Sequence, residues 1–354
     1  MSDTITRRRH GASRSVVTMR DIAEVAGVSV QTVSCVMNNT GSISDPIRAK
    51  VRKIADRFGY RPNLSAKAMR TGRTQTIGLV IADIRVPFFP ELAYCVQRSA
   101  LKRGYSVLIV DTDGSPEQTA ERILSLKAMA VDGVITTESI PAVFDLGLPT
   151  VMIGAPIRGL DTVTSNDAAG GAMVADHLLR LGHRRIGLVS SPRAGCIPIR
   201  RETLLDGLKG RAKVVWEVVT PSSEIITNDI RRKFNSIDVT AVVCSHDLIA
   251  IGVLRALWEM GVSVPADVSV IGYDDVQWSA VVSPGLTTVR QPFAELADQA
   301  VEVLLDRMER PERRARRVVV DVTLDERETV ADLTAGKDRT PMMLRREPPQ
   351  VVRA

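Results

Sequence analysis

Cysteine is scarce and scattered. The four residues Cys35, Cys95, Cys196 and Cys244 form no CxxC pair and no Cys/His spacing fit for a metal. Structural disulfides are not expected, which suits a reducing compartment. Histidine is as sparse, with four in 354 residues, and no Ser/His/Asp arrangement emerges around them. No GxGxxG follows the first apolar run and no P-loop is present, so nucleotide chemistry finds no anchor. Asp111 and Asp113 are close, but in a strand-end loop such acids are commoner as turn residues than as catalysts. No catalytic residue, metal or cofactor is therefore expected. No apolar run nears the roughly 18 residues needed to span a bilayer. Residues 1–17 are polar, with Arg7, Arg8, Arg9 and Arg14 and no apolar core like that of an export signal. They read as a flexible basic arm on a cytoplasmic protein that does not enter a membrane.

What is present is enough for two or three domains: 354 residues, 44% hydrophobic and 25% charged. The net charge of +6 is unevenly spread. Residues 1–75 hold 14 Lys+Arg against 5 Asp+Glu, a balance of +9, while the rest hold 33 against 36, a balance of −3. A basic module that neutralises phosphates, joined to a body with another task, has this footprint.

The stretch Thr18–Asn38 explains the basic module. Thr18 with Asp21 three residues on is a capping-box start, and Ile22, Ala23, Val25 and Ala26 give a first helix an apolar face. Gly27 permits a tight turn, and Ser29 caps a second helix. That helix points Val33, Val36 and Met37 inward and leaves Val30, Gln31, Ser34 and Cys35 outside. A third helix within residues 41–62 is capped by Ser44, with Pro46 in its first turn, Gly59 at its end and Ile47, Val51, Ile54, Ala55 and Phe58 as its apolar stripe. Two short helices with a tight turn, closed by a third, make a helix-turn-helix whose second helix fits a DNA major groove.

From Thr76 the pattern changes. Apolar runs of strand length at 77–83, 106–112, 133–137 and 149–154 alternate with helical segments, and a second set follows at 185–190, 214–220, 240–245 and 269–275. Near-continuous apolar strands with crossover helices mean parallel sheets covered on both faces, hence two doubly wound subdomains with strand ends facing a shared cleft.

The segments DIAEVAGVSVQTVSCVMN, GYRPN and LSAKAMRTGRT, followed by RVPFFPEL, VDGVI, HLLRLGHRRIG, VIGYDD and PGLTTVRQP, resemble the LacI/GalR family of bacterial transcription regulators over nearly the whole chain. The resemblance implies an α/β fold class with an N-terminal three-helix helix-turn-helix headpiece and a hinge helix. These precede a periplasmic-binding-protein-like core of two doubly wound parallel-sheet subdomains. The expected division is a basic arm at 1–17, a DNA-binding domain at 18–62, a hinge at 63–75, an effector-binding and dimerisation core at 76–335 and a disordered tail at 336–354. Within the core the chain is expected to cross near 175, 290 and 320, giving an N-subdomain of about 76–174 and 290–319 and a C-subdomain of about 175–289 and 320–335.

The resemblance also implies partners: a pseudo-palindromic operator in double-stranded DNA, a small-molecule effector of the sugar or metabolite kind, and a second copy of the chain. Val30, Gln31 and Cys35 fall where base edges are touched; Gln31 can bond adenine in two places and Val30 can pack on a thymine methyl. Cys35 departs from the Arg common there, so the usual guanine contact is missing. Thr32, Ser34 and Ser44, with Arg48, Lys50, Arg52 and Lys53, are expected at phosphates. In the hinge helix Ala66 makes the close contact, and Met69 stands where a Leu usually wedges the minor groove. The DNA-facing set is Thr18, Ser29, Val30, Gln31, Thr32, Ser34, Cys35 and Ser44 on the bundle, with Asn63, Ala66, Lys67 and Met69 on the connector.

Strand ends nominate Phe88 and Phe89, Asn166 and Asp167, Arg193, Arg200 and Arg201, His246 and Asp247, and Asp274 with Asp275. Of these, Phe88, Phe89, Asn166, Arg193, Arg201, His246, Asp247 and Asp274 form the expected effector set, Asp274 foremost, because a polyhydroxylated ligand needs a partner for each buried hydroxyl. His246, Gly154, Ala155, Leu204 and Val86 depart from the family pattern, which leaves room for a ligand with fewer hydroxyls. The basic headpiece and the absence of an export signal argue against a solute-binding transport protein of the same architecture.

Overall fold

A computed structural model of the chain describes residues 17–60, 72–112, 116–191, 195–220, 228–234 and 238–334. The expected arm, the Asn63, Ala66, Lys67 and Met69 connector, Asp113, Arg193 and the tail lie outside the described residues. The chain divides into two units, residues 1–74 and 75–354.

The first unit holds α1 (Met19–Ala26), α2 (Val30–Met37) and α3 (Asp45–Arg57). Thr18 closes a full capping box: its hydroxyl accepts from the Asp21 N–H, and Asp21 Oδ2 accepts from the Thr18 N–H and hydroxyl, both at 2.8 Å. Gly27 ends α1 at φ 65°, a left-handed conformation that a Cβ would strain. Ser29 Oγ then accepts from the Thr32 N–H at 3.0 Å. Ile22, Ala26, Val33, Val36, Val51, Ala55 and Tyr60 close the core. Some expectations need correction. Val25, Ile47 and Phe58 are exposed, and Tyr60 joins the core instead. Ser44 stands at the N-cap of α3 but makes no side-chain cap bond; Pro46 in the first turn already removes one donor.

The second unit is built on strands β1 (Thr76–Ile81), β2 (Ser106–Asp111), β3 (Gly133–Thr136), β4 (Thr150–Ile153), β5 (Asp161–Ser165), β6 (Arg185–Ser190), β7 (Lys213–Val219), β8 (Ala241–Cys244), β9 (Ser269–Asp274), β10 (Thr287–Arg290), β11 (Arg317–Val320) and β12 (Thr323–Asp325). Its helices are α4 (Phe88–Lys102), α5 (Pro116–Ala128), α6 (Pro141–Phe144), α7 (Asp167–Arg180), α8 (Ile197–Leu208), α9 (Asn228–Phe234), α10 (Asp247–Glu259) and α11 (Phe293–Glu309). Two six-stranded sheets form, in the orders β11-β5-β4-β3-β1-β2 and β12-β10-β9-β8-β6-β7. Every pairing is parallel except β10 with β12. We call them the N-lobe and C-lobe sheets.

Strands β5, β10, β11 and β12 escaped the apolar-run criterion. DTVTS in β5 is wholly buried yet mostly hydroxylated, and β11 and β12 are short edge strands. The chain passes between lobes after Ser165, after Arg290 and after Val320. The first passage thus precedes α7, rather than falling near 175 inside it. Val174, Ala175 and Leu178 of α7 pack with α8 and the C-lobe strands, a membership that helical periodicity alone does not reveal. Helix α11 returns to the N-lobe, where Leu296, Ala300, Val301 and Leu304 join Ile135, Val151 and Val163.

Candidate functional site

The headpiece presents α2 as its outer helix. Val30 and Gln31 are exposed, Thr32, Ser34 and Cys35 half-buried, and Thr18, Ser29 and Ser44 exposed at helix starts. The Cys35 thiol packs beside Gly41, where an added Cβ would come within 3.3 Å of the sulfur. Ser34 is drawn into the end of its own helix: its carbonyl accepts from Asn38 Nδ2 at 2.8 Å. Arg48 and Arg52 donate to Asn39 Oδ1 at 3.3 and 2.5 Å. Asn39 is itself left-handed at φ 55°, so the pair fixes the turn leaving α2 while Lys50 and Lys53 remain exposed. These groups make a cationic surface with one apolar and one amide side chain at the start of a short exposed helix.

In the second unit a cleft of about 540 Å³ opens where strands of both sheets end. Open parallel sheets bind ligands at this edge because loops diverge there. Phe88, Phe89, His246 and Asp274 line it, as do Asp167, Arg200, Gln291 and Met152. Phe88 meets Phe89 edge-to-face, with ring centroids 5.2 Å apart, and leans on Phe293.

The polar wall is built around Arg200 in the first turns of α8. Its Nε donates to Asp167 Oδ1 at 2.6 Å, its Nη1 lies 3.6 Å from Asp274 Oδ1, and its guanidinium stacks on the Tyr273 ring, 3.6 Å from the centroid. The Tyr273 hydroxyl donates to Asp167 Oδ1 at 3.2 Å. Asp274 ends β9 at φ 122°, backbone that an L-residue adopts only when its surroundings enforce it. Gln291 Nε2 donates to its Oδ1 at 2.7 Å, and Ser165 Oγ donates to Gln291 Oε1 at 2.5 Å. Burial pushes the Asp274 carboxyl up; Arg200 opposes this and Asp247 adds to it. His246 is pushed down to about 3, by burial first and then by Arg200, and so stays neutral.

Three nominated residues do other work. Arg201 points away from the cleft and pairs with Glu217 at 2.7 and 2.6 Å; one step around the helix separates it from Arg200, which lines the cleft. Asn166 caps α7 and donates to Asp321 Oδ1 at 3.0 Å, tying two of the lobe passages together. Asp247 is fully buried, accepting from the Ser279 and Thr288 hydroxyls at 2.6 Å and the Val276 N–H at 3.0 Å. Gln291 and Met152 were not nominated. Gln291 follows an unrecognised strand, and a methionine within an apolar run carries no signal of exposure to a cleft.

A model of bacterial regulatory proteins of the lacI family matches residues 18–63, and one of periplasmic-binding-protein-like domains matches residues 175–330. The ribose operon repressor of Escherichia coli K12 is 32% identical over 330 residues, covering 88% of this chain and 99% of that protein. A Lac repressor dimer structure bound to operator and the anti-inducer ONPF superposes with a TM-score of 0.77 at 25% identity, covering 90% of this chain and all of that one. A LacI family transcriptional regulator from Enterococcus faecalis V583 with bound ribose gives 0.65 at 26% identity, over 73% of this chain and 99% of that one. With a helix-turn-helix and a two-lobed cleft on one chain, and full-length similarity to a curated repressor, the protein belongs to the lacI family of bacterial regulatory proteins.

Proposed function

We propose that the protein is a cytoplasmic, homodimeric repressor that binds a pseudo-palindromic DNA operator and changes its grip when a small metabolite occupies the cleft. The observation that carries this reading is the pairing of an exposed, cation-flanked α2 with a cleft whose buried polar groups converge from several strand ends. Val30 and Gln31 are the base readers, with Thr18, Ser29, Thr32, Ser34 and Ser44 at phosphates; Cys35, half-buried against Gly41, sets the helix edge more than it reads. The connector residues Asn63, Ala66, Lys67 and Met69 complete the contact in this reading. Exposed apolar side chains on the core, among them Tyr94, Leu101, Trp278 and Val281, supply a surface for a second copy, and two-fold symmetry in the protein calls for the same symmetry in the site. An effector acts only through its different affinities for two arrangements of the lobes.

The test is fluorescence anisotropy of the full chain on DNA from upstream of its own gene. Binding that weakens steeply with salt, and that Gln31→Ala weakens by about 1–3 kcal/mol on one sequence but not on others, is expected. Binding that ignores salt and sequence would end this reading.

A further inference from the structure

The cleft is polar on one wall and apolar on the other. Resting on the effector reading above, we infer that its ligand is an uncharged amphipathic molecule: a hydroxylated head seated on the C-lobe wall, and an apolar ring or short alkyl body against the N-lobe wall.

The head follows from two unmet atoms. Asp167, His246 and Asp274 are only 3%, 8% and 5% exposed. Asp167 Oδ1 is taken by Arg200 and Tyr273, but Oδ2 is buried without a hydrogen-bond partner, and its neighbour is the weakly donating Cys196 thiol. His246 Nδ1 accepts from the Ile249 N–H at the start of α10, which leaves the proton on Nε2; that atom too is buried and unpartnered. Buried polar atoms are ordinarily bonded, so exceptions in a cleft call for a ligand. One wants a donor and the other an acceptor. A pair of hydroxyls supplies both, since each can give and receive.

The charge balance removes anions. The guanidinium of Arg200 already lies between two carboxylates, 2.6 Å from Asp167 and 3.6 Å from Asp274. Among the described residues, a phosphate or carboxylate head would meet those oxygens before any uncommitted cation.

The opposite wall is Phe88, Phe89, Ile140, Met152, Ile157 and Leu296. Of the polar side chains beside it, two turn to their own lobe: the Thr137 hydroxyl donates to the Val80 carbonyl at 3.4 Å, and Glu138 accepts from Thr112 Oγ1 at 2.8 Å; Ser139 adds one hydroxyl to the lining. A sugar hydroxylated all round would leave part of its hydroxyls against hydrocarbon, which is unfavourable without partners.

Isothermal titration calorimetry of the full chain tests this with phenyl β-D-ribofuranoside and phenyl β-D-glucopyranoside against ribose, glucose and ribose 5-phosphate. The phenyl compounds should bind about tenfold or more tighter than their parents, from the apolar area buried. Ribose 5-phosphate should bind more weakly than ribose. Met152→Gln, close in volume but polar, should cut the phenyl advantage over the parent sugar to under about threefold. Ile157→Asn on the loop serves the same purpose should the first variant fold poorly. Parents that bind as tightly as the phenyl compounds, a phosphate that improves affinity, or no binding by any of the five overturns the inference. Salt-sensitive binding to upstream DNA, which none of these outcomes touches, decides the regulator reading separately.

Discussion

In the N-lobe the deepest carboxylate, Asp161, opens strand β5, at the end away from the cleft; in the C-lobe Asp167, Asp247 and Asp274 gather where strands finish. The two sheets share a strand order, so the contrast isolates position. Asp161 accepts from Arg307 Nε, from two nitrogens of Arg313 and from the Arg316 N–H, at 2.7–3.0 Å. Nothing on it is left for a ligand. Asp167 keeps one oxygen unmet. Asp161, at a strand start, is spent on architecture; of the three at strand finishes Asp247 is spent as fully, while Asp167 and Asp274 line the cleft.

The largest expected effect on this contrast is Asp161→Ala. It takes away the carboxylate that Arg307 and Arg313 share in a buried site, leaving Arg313 with the Asp306 carboxylate alone, and should lower unfolding stability by about 3–5 kcal/mol in urea titrations, with effector affinity per folded molecule unchanged. A loss under about 1 kcal/mol would break the architectural assignment. Next, Asp274→Asn should weaken effector binding by about 0.5–1.5 kcal/mol, because one hydrogen-bonding oxygen facing the ligand is replaced by an amide nitrogen. Its unfolding stability should hold within about 1 kcal/mol, since Gln291 can still donate to the amide oxygen.

The third prediction is pH dependence. Burial raises the Asp161 carboxyl, but bonds from Arg307 and Arg313 outweigh it and hold it below the ordinary 3.8. A depressed carboxyl contributes stability that is whole above 3.8 and is lost as pH falls through its folded value. Acid unfolding followed by circular dichroism should therefore show a descent below pH 3.8 that Asp161→Asn flattens. The smallest effect belongs to Arg201→Ala. Its exposed pair with Glu217 should be worth under about 1 kcal/mol, and effector affinity should not move; a large loss of affinity would return Arg201 to the cleft.

Much of this architecture is legible in the amino-acid sequence. The capping box at Thr18, the turn at Gly27 and the apolar strands of both sheets are local signals, written within a few residues of where they act. The charge split between residues 1–75 and the rest told which part meets phosphates. What escaped depends on long-range pairing. Strand β5 reads as a polar stretch, yet it is buried with Thr162 and Thr164 donating to carbonyls beside them and Ser165 reaching across to Gln291. The choice of Arg200 over Arg201 is a rotation of one residue about α8, invisible until the helix is docked. Asn166 has the right chemistry for a ligand and is engaged instead by Asp321.

The side-to-side bonds among the lobe passages have a mechanical result. Ser165 and Gln291 join the first passage to the second, and Asn166 and Asp321 join the first to the third. Cross-links of this kind resist the sliding of one passage along another, which makes bending at the three passages, like a door on its pin, the easier relative motion of the lobes. Gln291 also holds Asp274. A molecule that tugs on that carboxylate is therefore pulling at the pin itself.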